Sequence, residues 1–153
     1  MSCNSIHFIG IEKLAKERWY SEGLRFGCRQ CGKCCGGEPG YVWVTDADIK
    51  AIAQELSIPK PEFERAFVKL VFGRKMTLGE KENGDCVLLD SKTKKCMVYD
   101  SRPLQCRTWP FWEDNLQTPR DWKRAAKGCP GCNAPDGKLY TLEEIEAQRE
   151  QTF

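Results

Sequence analysis

Histidine is almost missing from this sequence: His7 is the one copy in 153 residues. Metal sites that need two imidazoles on one chain are thereby excluded, and a Ser-His-Asp or Cys-His catalytic arrangement is not expected around a single near-terminal histidine. Long apolar runs are missing too. None approaches the roughly 18 residues that cross a bilayer, and Met1 to Ile11 lacks the basic and apolar regions of an export signal. Neither sign of charge dominates. Lys and Arg total 24 and Asp and Glu total 22, a net +2, which gives no nucleic-acid footprint and no acidic tail. There is no G-x-G-x-x-G turn, no P-loop and no C-x3-C-x2-C radical motif. Asp46, Asp48, Asp85, Asp90 and Asp100 read as caps and turn residues, not as a paired acid and base. Stand-alone catalysis is therefore not expected.

What the chain has is sulfur. Ten cysteines in 153 residues fall below the roughly 8–10% that marks small secreted disulfide scaffolds. Without an export signal the expected compartment is the cytosol, where thiols stay reduced. Ten reduced thiols call for metal, and five disulfides are the alternative. No repeat, low-complexity tract or Pro/Ser-rich linker divides the sequence, so one metal-binding domain over 1–153 is expected, with the cysteine motif at 26–132.

Hydrophobic spacing and caps predict an α+β fold with short helices and a small antiparallel sheet, organised around cysteine metal sites. Ile11, Leu14, Ala15 and Trp19 give a helix over 11–22, ended by Gly23. Residues 41–44 read as a strand. Thr45 and Asp48 form a capping box that opens a helix through Leu56, with Ile49, Ile52, Ala53 and Leu56 buried. Pro61 starts a third helix with Phe63, Phe67, Leu70 and Val71 inward. Residues 75–90 predict strand, Asn83-Gly84 turn and strand, and 95–99 a further strand. Thr118, Pro119 and Asp121 cap a basic helix to Lys127, stopped by Gly128. Thr141 and Glu144 cap the last helix.

Cys28-Arg-Gln-Cys31-Gly-Lys-Cys34-Cys35 places four thiols within eight residues. Two-residue spacers let successive sulfurs converge on one centre, and Gly32, Gly36 and Gly37 permit the tight turns this needs. A Cys34–Cys35 vicinal disulfide is the local covalent alternative. Cys86, Cys96 and Cys106 come singly, and Cys129 and Cys132 share a GCPGC segment. Cys3 reads as a bystander. If Cys86 and Cys96 flank a hairpin, they share a face only with an odd turn or a bulge.

All-thiolate donors favour zinc or an iron–sulfur cluster. Cys28, Cys31 and Cys34, with the remote Cys129-Pro130, follow the ferredoxin pattern around a [4Fe–4S] cube, though Cys35 follows Cys34 at once. Alternatively, Cys28 and Cys31 pair with Cys129 and Cys132 as a zinc site. Lys33, Arg102 and Arg107 lie beside these thiols and would balance an anionic centre. Trp109-Pro110-Phe111-Trp112 would exclude water from it, or would simply be core.

At this point the residues resemble a family. CxxCxxCC, then a lone Cys, then C-M-V-Y-D-S-R-P-L-Q-C-R-T-W-P-F and C-P-G, with VWVTDADI at 42–49, resemble the CxxCxxCC family of YkgJ-type cysteine-cluster proteins. These are described as zinc- or iron-chelating domains. The resemblance covers residues 26–131 and implies eight ligands: Cys28, Cys31, Cys34, Cys35, Cys86, Cys96, Cys106 and Cys129. Cys132 and Cys3 fall outside the pattern. The resemblance extends distantly to the cysteine domain of flagellin lysine methylases, and it tips the metal towards iron. The expected role is that of a redox or accessory protein carrying a [4Fe–4S]-type cluster, with a protein partner and no nucleic acid or membrane. The alternatives are a zinc-held interaction module, with Arg120, Lys123, Arg124 and Lys127 as its contact face, or an accessory to a methyl-transfer enzyme. A redox dithiol at GCPGC is a lesser alternative.

Overall fold

The computed structural model of the chain describes residues 18–37 and 39–152. In chain order they form β1 (Leu24–Phe26), a 3-10 turn (Lys33–Cys35), α1 (Asp46–Glu55), α2 (Lys60–Phe67), β2 (Val68–Val71), β3 (Lys75–Leu78), α3 (Leu104–Thr108), α4 (Glu113–Leu116), α5 (Pro119–Gly128), β4 (Lys138–Tyr140) and α6 (Leu142–Gln151). The fold is α+β, with two two-stranded antiparallel sheets, β1–β4 and β2–β3. It resolves into two compact units. The central one is Gln30–Trp109, and the terminal one joins Met1–Arg29 to Pro110–Phe153. No helix among the described residues is long and apolar enough to cross a membrane.

The central unit is built on one apolar cluster. The Thr45 hydroxyl accepts from the Asp48 amide at 3.1 Å while the Asp48 carboxylate accepts from the Thr45 amide at 2.8 Å, so the predicted capping box starts α1. Its buried stripe, Ile49, Ile52 and Ala53, meets Val44, Phe63, Leu78, Leu88 and Val98. Pro61 opens α2 as expected, but the helix stops at Phe67, and Leu70 and Val71 belong to β2. The β-branched Val68 and Val71 suit a strand, and Val68–Val71 pairs with Lys75–Leu78. Leu70 consequently faces out, 65% exposed. The strand expected at 41–44 is a single bridge, Trp43 to Thr77. The strands expected at 85–90 and 95–99 are likewise reduced to the bridges Glu80–Cys86 and Leu89–Cys96, with tight turns taking up the backbone between them.

The terminal unit has its own core. Phe111 stacks on Trp122 at 5.9 Å, tilts against Tyr140 at 4.9 Å and meets Phe26 edge-on at 6.1 Å. Thr118 caps α5, and a Thr141–Glu144 capping box starts α6, both as predicted. The β1–β4 ladder, Leu24 opposite Tyr140, was not expected from the sequence. Of the helix expected at 11–22, residues 18–22 are coil and turn, and 11–17 lie outside the described residues. Glu146 is buried, where it accepts from the Tyr20 hydroxyl and from Arg149 at 2.7 and 3.1 Å. Burial raises its pKa, but the bonds from Arg149 and Tyr20 and the charges of Arg149 and Arg18 outweigh this and hold it below the usual range.

Two outcomes follow. Phe63→Ala is expected to cost about 3–5 kcal/mol in a urea melt, and Leu70→Ala no more than about 0.5 kcal/mol; equal losses would contradict the assigned core. A carboxylate with a lowered folded pKa gives stability that is complete above its unfolded pKa and lost as pH falls through the folded value. The stability difference between the wild type and Glu146→Gln should therefore shrink as pH falls below 4.5, the ordinary value for a glutamate. A constant difference from about pH 6 to about pH 3 would contradict the pairing.

Candidate metal centre

The central unit gathers thiols from three places in its sequence. The turn that carries Cys34 and Cys35 begins at Gly32, whose φ is 70°, and the Gly32 carbonyl accepts from the Cys35 amide at 3.0 Å. A Cβ on Gly32 would stand 2.2 Å from the Lys94 carbonyl oxygen and 2.8 Å from Leu89 Cδ1. Glycine is what lets this turn lie against the 89–94 loop. The Cys86 amide then donates to the Cys35 carbonyl at 2.7 Å, which ties the second segment to the first. Cys86 and Cys96 are half-buried against the apolar cluster beneath α1 and α2. The hairpin geometry expected to decide their faces does not arise, because isolated bridges replace the strands. Cys106 comes from α3, which follows Pro103.

The sulfurs sense one another. The Cys34 and Cys35 Sγ atoms are 3.9 Å apart, and no disulfide joins any of the nine described cysteines, so the vicinal disulfide is absent. Hydrogen bonds to Cys34 and Cys96, then burial, push the Cys35 pKa far up. Cys96 moves down because Cys35 donates to it, with help from the backbone at Val98 and from Arg102 against burial. Burial pushes Cys106 up to about 12, and the sulfurs of Cys86, Cys34 and Cys96 add to that. Burial also raises Cys86. Five thiols thus interact in one unit: Cys34, Cys35, Cys86, Cys96 and Cys106. Metal binding by such thiols would release their protons, so it would be pH-dependent.

The three expected charge-balancing cations are placed differently. The Arg102 guanidinium lies 3.7 Å over the Tyr99 ring, its Nε donates to the Tyr99 carbonyl at 2.8 Å, and its charge lowers the pKa of Cys96 and of Cys106. Arg107 is exposed and donates from Nε to the Arg102 carbonyl at 2.9 Å. Lys33 is exposed on the 3-10 turn. Sequence reasoning missed Lys81, whose charge acts on Cys86 and whose ammonium is held by the Leu89 carbonyl and Ser91 Oγ. It also missed that Asp85 is buried against Asn83 and Lys94 rather than serving as a simple turn residue. Nothing in its spacing marked either role. Within the aromatic segment, Phe111 is an ordinary core residue of the terminal unit.

In the terminal unit, Cys132 is buried and hydrogen-bonded to Cys129, and this bond, then burial, raises its pKa. The Gly27 amide donates to the Gly131 carbonyl at 3.1 Å, and a Cβ on Gly131 would stand 2.4 Å from the Gly27 carbonyl oxygen. The strand leading to Cys28 therefore runs against the GCPGC loop. Cys132, left out of the expected ligand set, keeps company with Cys129, as its C-x2-C spacing indicated. Cys31 belongs to the central unit and is exposed, and Cys3 lies outside the described residues.

Among the described residues no group of three or more His, Cys, Asp or Glu side chains is set to hold a metal ion. The chemistry of the donors nonetheless fits one. Every candidate ligand is a soft sulfur. The 3.9 Å between Cys34 and Cys35 Sγ is close to the ~3.8 Å edge of a tetrahedron of thiolates about 2.3 Å from zinc. Gly32→Ala is expected to lose at least about 1 kcal/mol from its positive φ alone, and more from the clash at Lys94. An unchanged urea midpoint would contradict the close packing of the turn.

Comparisons with known proteins bear on this cluster. The chain belongs to the CxxCxxCC family, described as “Putative zinc- or iron-chelating domain”, whose family model matches residues 27–133. It is 39% identical over 94 residues to an uncharacterized protein of Methanocaldococcus jannaschii, an alignment covering 60% of this chain and 48% of the relative. The chain thus spans about half the length of that curated relative. No solved structure matches. Neither the family description nor this relative speaks of flagellin lysine methylases.

Proposed function

We propose that the chain is a metal-thiolate protein of a reducing compartment such as the cytosol, carrying a [4Fe–4S]-type cluster in a redox or accessory role. The observation that carries the metal reading is the convergence of Cys34, Cys35, Cys86, Cys96 and Cys106 in one unit. Cys28, Cys31 and Cys129 are the other three candidate ligands that the family resemblance implies; a cube takes four thiolates, so the eight form two sets of four or one set with spare thiols. Support for iron comes from the family description, which names it beside zinc, and from the C-x2-C-x2-C spacing with a remote Cys-Pro. Arg102 would offset part of the anionic charge, with Lys33 and Arg107 at the margin. When bound, a cluster supplies a one-electron couple; this chain's residues hold it, limit water around it and set the local charge.

One observation favours a second reading. In a cube each thiolate holds its own iron, so the sulfurs stand further apart than around a single ion. The 3.9 Å Cys34–Cys35 separation suits a single ion better. In that reading zinc closes a structural site without redox activity, and the chain is an interaction module.

Anaerobic purification with assays of iron, acid-labile sulfide and zinc tests both. A brown sample with about four irons and matching sulfide per cluster supports the first reading, and a colourless sample with stoichiometric zinc the second. Ser substitution of Cys35, Cys86, Cys96 or Cys106 should lower bound metal, and Cys3→Ser should leave it unchanged. A structural thiolate site contributes about 10–16 kcal/mol against a total stability of about 5–15 kcal/mol. The demetallated, reduced chain is therefore expected to lose its cooperative melt. A compact, soluble chain that carries no transition metal after reductive purification overturns the proposal.

A further inference from the structure

The tip of the β2–β3 hairpin carries a side chain where its turn wants another. The Arg74 amide closes the turn on the Val71 carbonyl at 3.3 Å, and both central residues have positive φ, 53° at Phe72 and 73° at Gly73. Asn-Gly is the favoured pair for such a turn, because Asn tolerates the left-handed region and bulky side chains do not. Here the position is phenylalanine, 78% exposed. The ring costs the fold conformational strain and leaves apolar surface in water, so folding alone does not account for it.

Phe72 does not stand alone. Tyr41, 50% exposed, meets it edge-on at 6.5 Å and stacks on Trp43 at 4.7 Å. Leu70 is exposed on the same hairpin. The cations of this hairpin are Lys69, Arg74 and Lys75, all exposed. None of them forms an ion pair among the described residues, although Lys75 lies 5.2 Å over the Trp43 ring. The face is tied to the thiol cluster by one residue. Gln105 accepts from the Trp43 amide and donates to the Tyr41 carbonyl, both at 2.9 Å, and Cys106 is its neighbour on α3.

We infer that the Phe72 hairpin, with Tyr41, Trp43 and its exposed cations Lys69, Arg74 and Lys75, is the docking surface for an acidic protein, whose apolar pocket takes the Phe72 ring. The cations complement an acidic rim and speed encounter, and the ring supplies the anchor. A partner docked here lies against the segment that Gln105 binds beside Cys106, which is where a redox or client protein of the metal centre would be useful. The surface goes beyond the metal reading and does not depend on which metal is held.

The test places the photo-crosslinking residue p-benzoylphenylalanine at position 72 of the full chain in its native cells. Adducts are identified by mass spectrometry, and the captured protein is then purified and titrated against the wild type by calorimetry. The expected partner is acidic, its affinity falls as salt rises, and Phe72→Asn weakens it at least tenfold while the urea midpoint holds or rises. Charge reversal of Lys69, Arg74 and Lys75 together should weaken it at least tenfold and flatten the salt dependence. The inference is overturned if no captured protein binds when purified, or if Phe72→Asn binds as tightly as the wild type. It is also overturned if vesicles of phosphatidylcholine with phosphatidylserine, or oligodeoxythymidylate, take the tip instead. Metal is assayed in the same samples: a metal-free chain that still docks sinks the metal reading alone, and a metal-loaded chain that does not dock sinks the surface alone.

Discussion

Thiols that crowd together without bonding to one another are the constraint on which the rest of the central unit depends. Cys35 is hydrogen-bonded to its neighbour and to Cys96, while its carbonyl holds the Cys86 amide. The apolar cluster under α1 and α2 backs Cys86 and Cys96. Sulfurs held this way are poor at being inert. They shift one another's pKa, up at Cys35 and down at Cys96, and they bring several soft lone pairs into one unit. The hydrophobic core and the cysteine set are built together: α1 and α2 supply the wall, and the 3-10 turn and the irregular 79–109 segment supply the thiols.

The parts of the fold that were legible in the sequence are those set by local chemistry. Thr45 with Asp48, and Thr141 with Glu144, name their helices because a side-chain oxygen and an amide three residues on satisfy each other with no help from elsewhere. Thr118 with Pro119 does the same for α5. The parts that were illegible depend on partners far along the chain. Val68–Val71 reads as a continuing helix until Lys75–Leu78 folds back on it. Leu24–Phe26 has no strand signature until Lys138–Tyr140 is beside it. The cysteine-bearing segments around 86 and 96 read as strands by composition, yet turns at Asn83-Gly84 and at Asp90 to Lys95 use up the backbone bonds that a ladder would need.

The candidate site followed the same division. Spacing alone grouped Cys28, Cys31, Cys34 and Cys35, but spacing does not reveal that Cys35 meets Cys96 or that Cys106 senses Cys34 and Cys96. Arg102 was picked out for lying next to thiols in sequence, and its charge does reach two of them. Lys81 and Gln105 act through folded proximity that no linear pattern records. Cys132, set aside as lying beyond the family pattern, rests beside Cys129 because a two-residue spacer bends the chain back on itself.

The antiparallel pairing of Leu24 with Tyr140 carries a consequence for biosynthesis. On a ribosome the first of these strands emerges long before the second exists, so it must wait while the whole middle of the polypeptide is translated. That middle portion holds a hydrophobic nucleus of its own and can collapse during the interval. Loop-closure entropy for the late strand is then reduced, because an already compact insert shortens the distance its two ends must span. Vectorial synthesis thus favours an order in which the sulfur-rich middle is shaped first and the outer sheet is sealed last.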